Sequence, residues 1–179
     1  MTLEALFRRL ARGTRVITAG CLGLAVALFA ASLMVLGAEI VLRYVFNHPL
    51  QNVGEGVIIA FIYVYLLGGA ALYARNEDIA LDFLFRKAGR RPQALWLLVI
   101  YLAIAATMAV VLMETLKLMQ VQRGVLTPGL RLPLGIEHAA LSLAAGVILY
   151  ASVVEALGCW IWLRDGRRPR VNLTEEEMP

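Results

Sequence analysis

Proline is missing from every long apolar stretch of this chain. All six prolines, Pro49, Pro92, Pro128, Pro133, Pro169 and Pro179, fall between or beyond four stretches at roughly 16–42, 53–73, 94–121 and 136–163. Charge is missing from a long middle portion of each stretch, and residues 16–38 carry none at all. Transporters that hold a solute at the bilayer midplane usually do so on broken helices, whose freed backbone groups and half-helix dipoles contact the ligand. Unbroken helices with clean centres suit a supporting role, so the chain is not expected to carry a substrate site alone.

Cysteine and histidine are scarce, and each scarcity excludes a chemistry. Cys21 and Cys159 lie near the same end of their helices and read as small apolar residues. Two such residues make no disulfide framework and no metal site. A b-type haem held between helices commonly needs histidines within the spans, whereas His48 and His138 sit in or beside connections. No nucleophile with a nearby base and no phosphate loop is present. The expectation is a protein with no catalytic residue, no cofactor and no metal ligand. No tandem repeat is visible either.

What the chain does have is apolar bulk. Sixty per cent of its 179 residues are hydrophobic and its mean hydropathy is +0.74, which excludes an ordinary soluble domain. The 23 uncharged residues from 16 to 38 would rise about 35 Å as a helix, enough for a hydrocarbon core of roughly 30 Å. That run is too long for a signal-peptide core, so it reads as a retained first span. The third and fourth stretches would reach about 42 Å and should tilt. The expected fold is an all-α integral membrane protein with four tilted transmembrane helices.

Basic residues give the orientation. Thirteen of the 17 lysines and arginines fall before the first span, between the second and third, and after the fourth; the other four are Arg43, Lys117, Arg123 and Arg131. Basic residues accumulate on the cytoplasmic side, so both termini are expected there. Trp96, Trp160 and Trp162 sit beside the basic segments, at the depth of an interfacial belt. The net charge of +4 and pI near 9.4 follow from this bias and imply no nucleic-acid partner.

Three regions result: a surface segment over 1–15, a transmembrane domain over 16–163, and a cytoplasmic tail over 164–179. Leu3, Leu6, Phe7 and Leu10 repeat at helical spacing opposite Arg8, Arg9 and Arg12, the pattern of an amphipathic helix along the cytoplasmic leaflet. Residues 78–88, with Ile79, Phe83 and Leu84 before Arg86 and Lys87, offer a second short candidate ended by Gly89 and Pro92. Thr127-Pro128-Gly129 reads as an external turn.

Charged residues in or beside the spans are the candidate functional groups. Glu39 and Arg43 are four apart, at ion-pair spacing, and Glu55 opens the next helix where it too can approach Arg43. These three form an external cluster that either fixes helix ends or docks a partner. Glu114 precedes Lys117 by three residues, and Glu137 opens the fourth span. Glu155 differs: it lies about 9 Å along the helix from the middle of span four, a candidate intramembrane polar contact. Gly23, Ala27 and Ala31 repeat every four positions, and Gly68-Gly69-Ala70-Ala71 interrupts span two; such small faces let helix backbones approach closely, and much of this is expected to pack the chain's own bundle.

The run Arg43-Tyr44-Val45-Phe46-Asn47, followed by Glu55, resembles the small membrane subunit of tripartite ATP-independent periplasmic transporters, the TRAP DctQ-like family. The likeness continues through Leu67-Gly68-Gly69-Ala70-Ala71, Arg75, Ile79 and Asp82, and returns at Thr127-Pro128 and Leu132-Pro133. Where the family often has His-Ile in the second connection, this chain has Asp78-Ile79. The resemblance implies a bacterial inner-membrane subunit paired with a large multi-span subunit that moves an organic anion on a sodium gradient. A periplasmic binding protein would deliver the substrate, and the small subunit would be a fixed support. Arg43 and Glu55 would then organise the external rim. Arg8, Arg9, Arg12, Arg86, Lys87, Arg90 and Arg91 would meet anionic phospholipid, at about 1 kcal/mol each near the surface. The competing class is a self-sufficient homo-oligomeric exporter or channel that uses Glu155.

Overall fold

The computed structural model describes residues 3–48, 52–75 and 90–165, and these form four helices. They are α1 (Leu3–Val45), α2 (Val53–Ala74), α3 (Arg90–Val121) and α4 (Gly135–Asp165). All four are long and apolar enough to cross a membrane. Their ends follow local chemistry. Asn47 takes a left-handed conformation with φ 52°, and the His48 amide returns to the Leu42 carbonyl at 3.1 Å, which closes α1. Asn52, also left-handed at φ 66°, leads into α2. Pro92 stands in the first turn of α3, where a missing N–H leaves no intrahelical bond unmade.

From Leu3 the chain runs without interruption into the span, as one helix of 43 residues. At 1.5 Å per residue it is about 65 Å long. The reason is tertiary: Phe7 and Ala11 are buried against Val154 and Ile161 of α4, with Leu10, Tyr150 and Leu157 around them. Of the apolar stripe, Phe7 and Leu10 thus pack on α4. The second surface candidate, 78–88, and the tail beyond 165 lie outside the described residues.

α4 is the hub. It packs on α1, α2 and α3, while α1 also packs on α2 and α3 makes its extensive contact with α4 alone. The helices therefore form an open layer instead of a closed ring, and broad faces of α1, α2 and α3 remain outside it. The connections α1–α2 and α3–α4 meet at one end of this layer, the loop end. The first residue of α1, the start of α3 and the last residue of α4 mark the other, the terminal end.

Alanines and tyrosines hold the layer together. Ala70, Ala71, Ala74, Ala140, Ala144, Ala145 and Ala151 are buried, and such small side chains let backbones approach closely. Tyr63 on α2 donates to the Ile136 carbonyl at 2.7 Å, and Tyr73 meets the Ser152 hydroxyl at 2.7 Å. Tyr150 on α4 donates to the Leu10 carbonyl at 3.0 Å. The stripe Gly23, Ala27 and Ala31 does not take part: all three are exposed, on the side of α1 away from its packed face. The expectation that this stripe packs the chain's own bundle is corrected, because the buried positions Thr18, Ala25 and Ser32 occupy the opposite side of the helix.

Tyr150 gives a test of the α1–α4 junction. A methyl group at Gly13 would stand 2.7 Å from the Tyr150 hydroxyl. Tyr150→Phe is expected to cost about 0.5–1.5 kcal/mol by loss of the hydrogen bond to Leu10. Once that hydroxyl is gone, Gly13→Ala should recover about 0.5–1 kcal/mol through helix propensity. Melting in mild detergent of the single and double variants checks the sign of both steps.

Candidate functional site

The loop end is the most organised polar region of the described chain. The α3–α4 connection is a tight hairpin: Thr127 N–H donates to the Leu132 carbonyl at 2.8 Å and Leu134 N–H to the Val125 carbonyl at 3.0 Å, with Leu126 bridged to Pro133. The Thr127 hydroxyl accepts from Leu132 N–H at 3.1 Å and closes the turn from within. Arg131 adopts a left-handed φ of 51° at its base. The expected turn at Thr127-Pro128-Gly129 forms the tip.

Glu55 clamps that tip onto α2. It lies in the first turn of α2, and its Oε2 accepts the Leu130 N–H at 2.7 Å. The Gly129 amide and the Thr127 hydroxyl also lie beside the carboxylate. Asn52, immediately before α2, donates from Nδ2 to the Gly129 carbonyl at 3.3 Å. A Cβ at position 129 would collide with Glu55 Oε2 and press on Asn52, so a side chain there requires the carboxylate to move. The Leu130 side chain lies over Gly56. Two connections distant in sequence, around residues 52–56 and 127–130, thus become one rim.

The other predicted charges are not drawn into this clamp. Glu39 and Arg43 share a helix face, yet no ion pair joins them among the described residues; the Arg43 guanidinium instead lies over the Tyr44 ring, 5.8 Å from its centroid. Glu55 spends its Oε2 on the backbone of the hairpin and does not pair with Arg43. Glu114 and Lys117 form an exposed pair at 2.7 Å, and His138 meets Gln122 across the base of the hairpin at 2.7 Å. Glu55 and the turn lie far apart in sequence, and Gly129 within the turn marks their close approach, since a Cβ there would meet the carboxylate.

Glu155 sits at the other end. It is half-buried on α4 and engaged within the fold. Tyr150 reaches Leu10 of α1, and Ile161 shares a cluster with Phe7. Glu155 lies between these two α4 positions, level with the turn of α1 that bears Arg8, Arg9 and Arg12. That depth is outside the uncharged run that begins at residue 16. Of the remaining basic residues, Arg90 and Arg91 open α3, while Arg86 and Lys87 lie outside the described residues. Among the described residues no group of three or more His, Cys, Asp and Glu could hold a metal ion, and no disulfide joins Cys21 and Cys159.

Four uninterrupted apolar helices with a docked polar rim define a multi-pass α-helical membrane protein. The family model for the DctQ component of tripartite ATP-independent periplasmic transporters matches residues 32–161, and the chain belongs to that family. It is therefore a small permease subunit of a TRAP transporter, from a family of transporter components and not of enzymes. Members of the family work with a large TRAP membrane subunit and a periplasmic binding protein. No curated protein matches the chain.

Proposed function

We propose that this chain is the fixed support of its transporter, anchoring a large elevator-type subunit that takes up an organic anion with a sodium gradient. A periplasmic binding protein delivers the anion. The subunit lies in the bacterial inner membrane with its terminal end in the cytoplasm, where Arg8, Arg9 and Arg12 meet anionic phospholipid. The loop end then faces the periplasm. There the rim held by Glu55, with Glu39 and Arg43 nearby on α1, contributes to the surface that receives the binding protein.

The observation that carries this reading is the absence of a break in any of the four helices of a TRAP small subunit. A chain without freed mid-helix backbone groups has no ready means to hold an anion at the midplane. Its clamped hairpin and hub-like α4 suit a part that keeps its shape while a partner moves.

Purification of the tagged chain from native membranes in mild detergent, followed by mass spectrometry, tests the proposal. A stoichiometric, much larger multi-span partner is the expected result. A homogeneous oligomer of this chain alone would overturn it and return Glu155 to consideration as a transport residue.

A further inference from the structure

Tyr65 is a polar group in a place that lipid cannot satisfy. It stands midway along α2, ten residues from Glu55 and ten from Arg75, about 15 Å from each. Its depth is fixed independently. Phe61, one turn away, meets Phe29 of α1 edge to face at 5.9 Å, and Phe29 lies near the centre of the uncharged run 16–38. Tyr65 is 81% exposed, and among the described residues its hydroxyl has no hydrogen-bond partner. The other tyrosines of α2, Tyr63 and Tyr73, both reach α4. A phenolic hydroxyl near the bilayer centre gains nothing from hydrocarbon, which offers no acceptor, and tyrosines that face lipid normally stand at the interfaces.

The surface around it is shaped as well as exposed. Ile58, Phe61, Ile62, Tyr65 and Leu66 line a shallow, largely open apolar groove of about 430 Å³ on the side of α2 turned away from the packed residues Leu67, Ala70 and Ala74. A groove flanked by branched and aromatic side chains accepts the ridge of a neighbouring helix. A donor at its edge supplies the interhelical hydrogen bond that helps fix such a contact in lipid.

We infer that the Tyr65 face of α2 is covered by a transmembrane helix of the large TRAP subunit, with the Tyr65 hydroxyl donating to an acceptor on that helix. The inference rests on the proposed subunit role. It commits to α2 over the two other open faces of the layer, the Gly23–Ala27–Ala31 side of α1 and the outer side of α3. Neither of those shows a mid-span polar group without a partner: Thr107 on α3 already bonds the Ala103 carbonyl at 2.9 Å.

A photoreactive benzophenone side chain, a derivative of phenylalanine, placed at position 65, 27 or 110 in the co-expressed complex tests the choice of face. The expected result is a crosslink to the large subunit from position 65 and none from 27 or 110. Tyr65→Phe should lower recovery of the complex in detergent about three- to twenty-fold, the range of interhelical hydrogen bonds in lipid. Crosslinks from position 27 or 110 with none from 65 would overturn the assignment, as would lipid adducts alone or a crosslink between two copies of this chain from position 65. Failure of the underlying subunit reading is separate: the untouched chain would then recover no large partner at all.

Discussion

Gly129→Val is expected to leave the chain in the membrane while uptake by the assembled transporter falls on the order of ten-fold, the range for losing a hydrogen bond to a charged group. Any Cβ at this position collides with the Glu55 carboxylate that holds Leu130 N–H, and presses on Asn52 behind it. The carboxylate must turn away or the hairpin must lift, and either movement undoes the rim. Faster amide exchange confined to residues 125–134 would locate the damage. Gly124→Ala is the internal control, because a Cβ there meets nothing within 4 Å. Glu55→Gln should fall between the two, since it keeps an acceptor for Leu130 N–H but loses the charge. If Gly129→Val transported normally with its hairpin still protected, the clamp would have no part in function.

Ser152→Leu should be the most damaging single change in the helical layer. Ser152 is 0% exposed on α4. Its hydroxyl donates to the Ile148 carbonyl at 2.8 Å, which leaves the Tyr73 hydroxyl to donate to it from α2 at 2.7 Å. Leucine adds volume at a close crossing, at about 1–3 kcal/mol. It also removes the interhelical hydrogen bond, worth roughly 0.6–1.7 kcal/mol in lipid. Loss of the folded monodisperse chain in detergent is the expected outcome, with Ser152→Ala showing the smaller second loss alone. Equal melting of Ser152→Leu and the unaltered chain would show that α2 and α4 are not closely packed there.

Much of the fold was legible because membrane helices obey short-range rules. The spacing of prolines and charges identified four spans, since backbone in hydrocarbon must satisfy its own hydrogen bonds. Gly129 was visible as part of an external turn. What the rules misplaced were the faces. The small-residue stripe on α1 had the right composition for a packed face, and yet it is turned outward. The amphipathic pattern around Phe7 and Leu10 reads equally well against a leaflet or against α4, because both cover apolar side chains. Glu39 and Arg43 had ion-pair spacing, but Arg43 lies over the ring of its neighbour Tyr44.

By itself the sequence determined that this is a four-span membrane protein of a family of transporter components. Local hydropathy and the order of its family residues decide those points without knowledge of partners in space. Only the tertiary structure decided which carboxylate does what. Glu55 is bound to a hairpin 75 residues away, and Glu155 is level with the arginines of α1. Those outcomes depend on how long helices align side by side, and in lipid that alignment is set by close packing and interhelical hydrogen bonds. The same alignment leaves Tyr65 outside the layer, and no periodicity in α2 distinguishes its face from that of Tyr63.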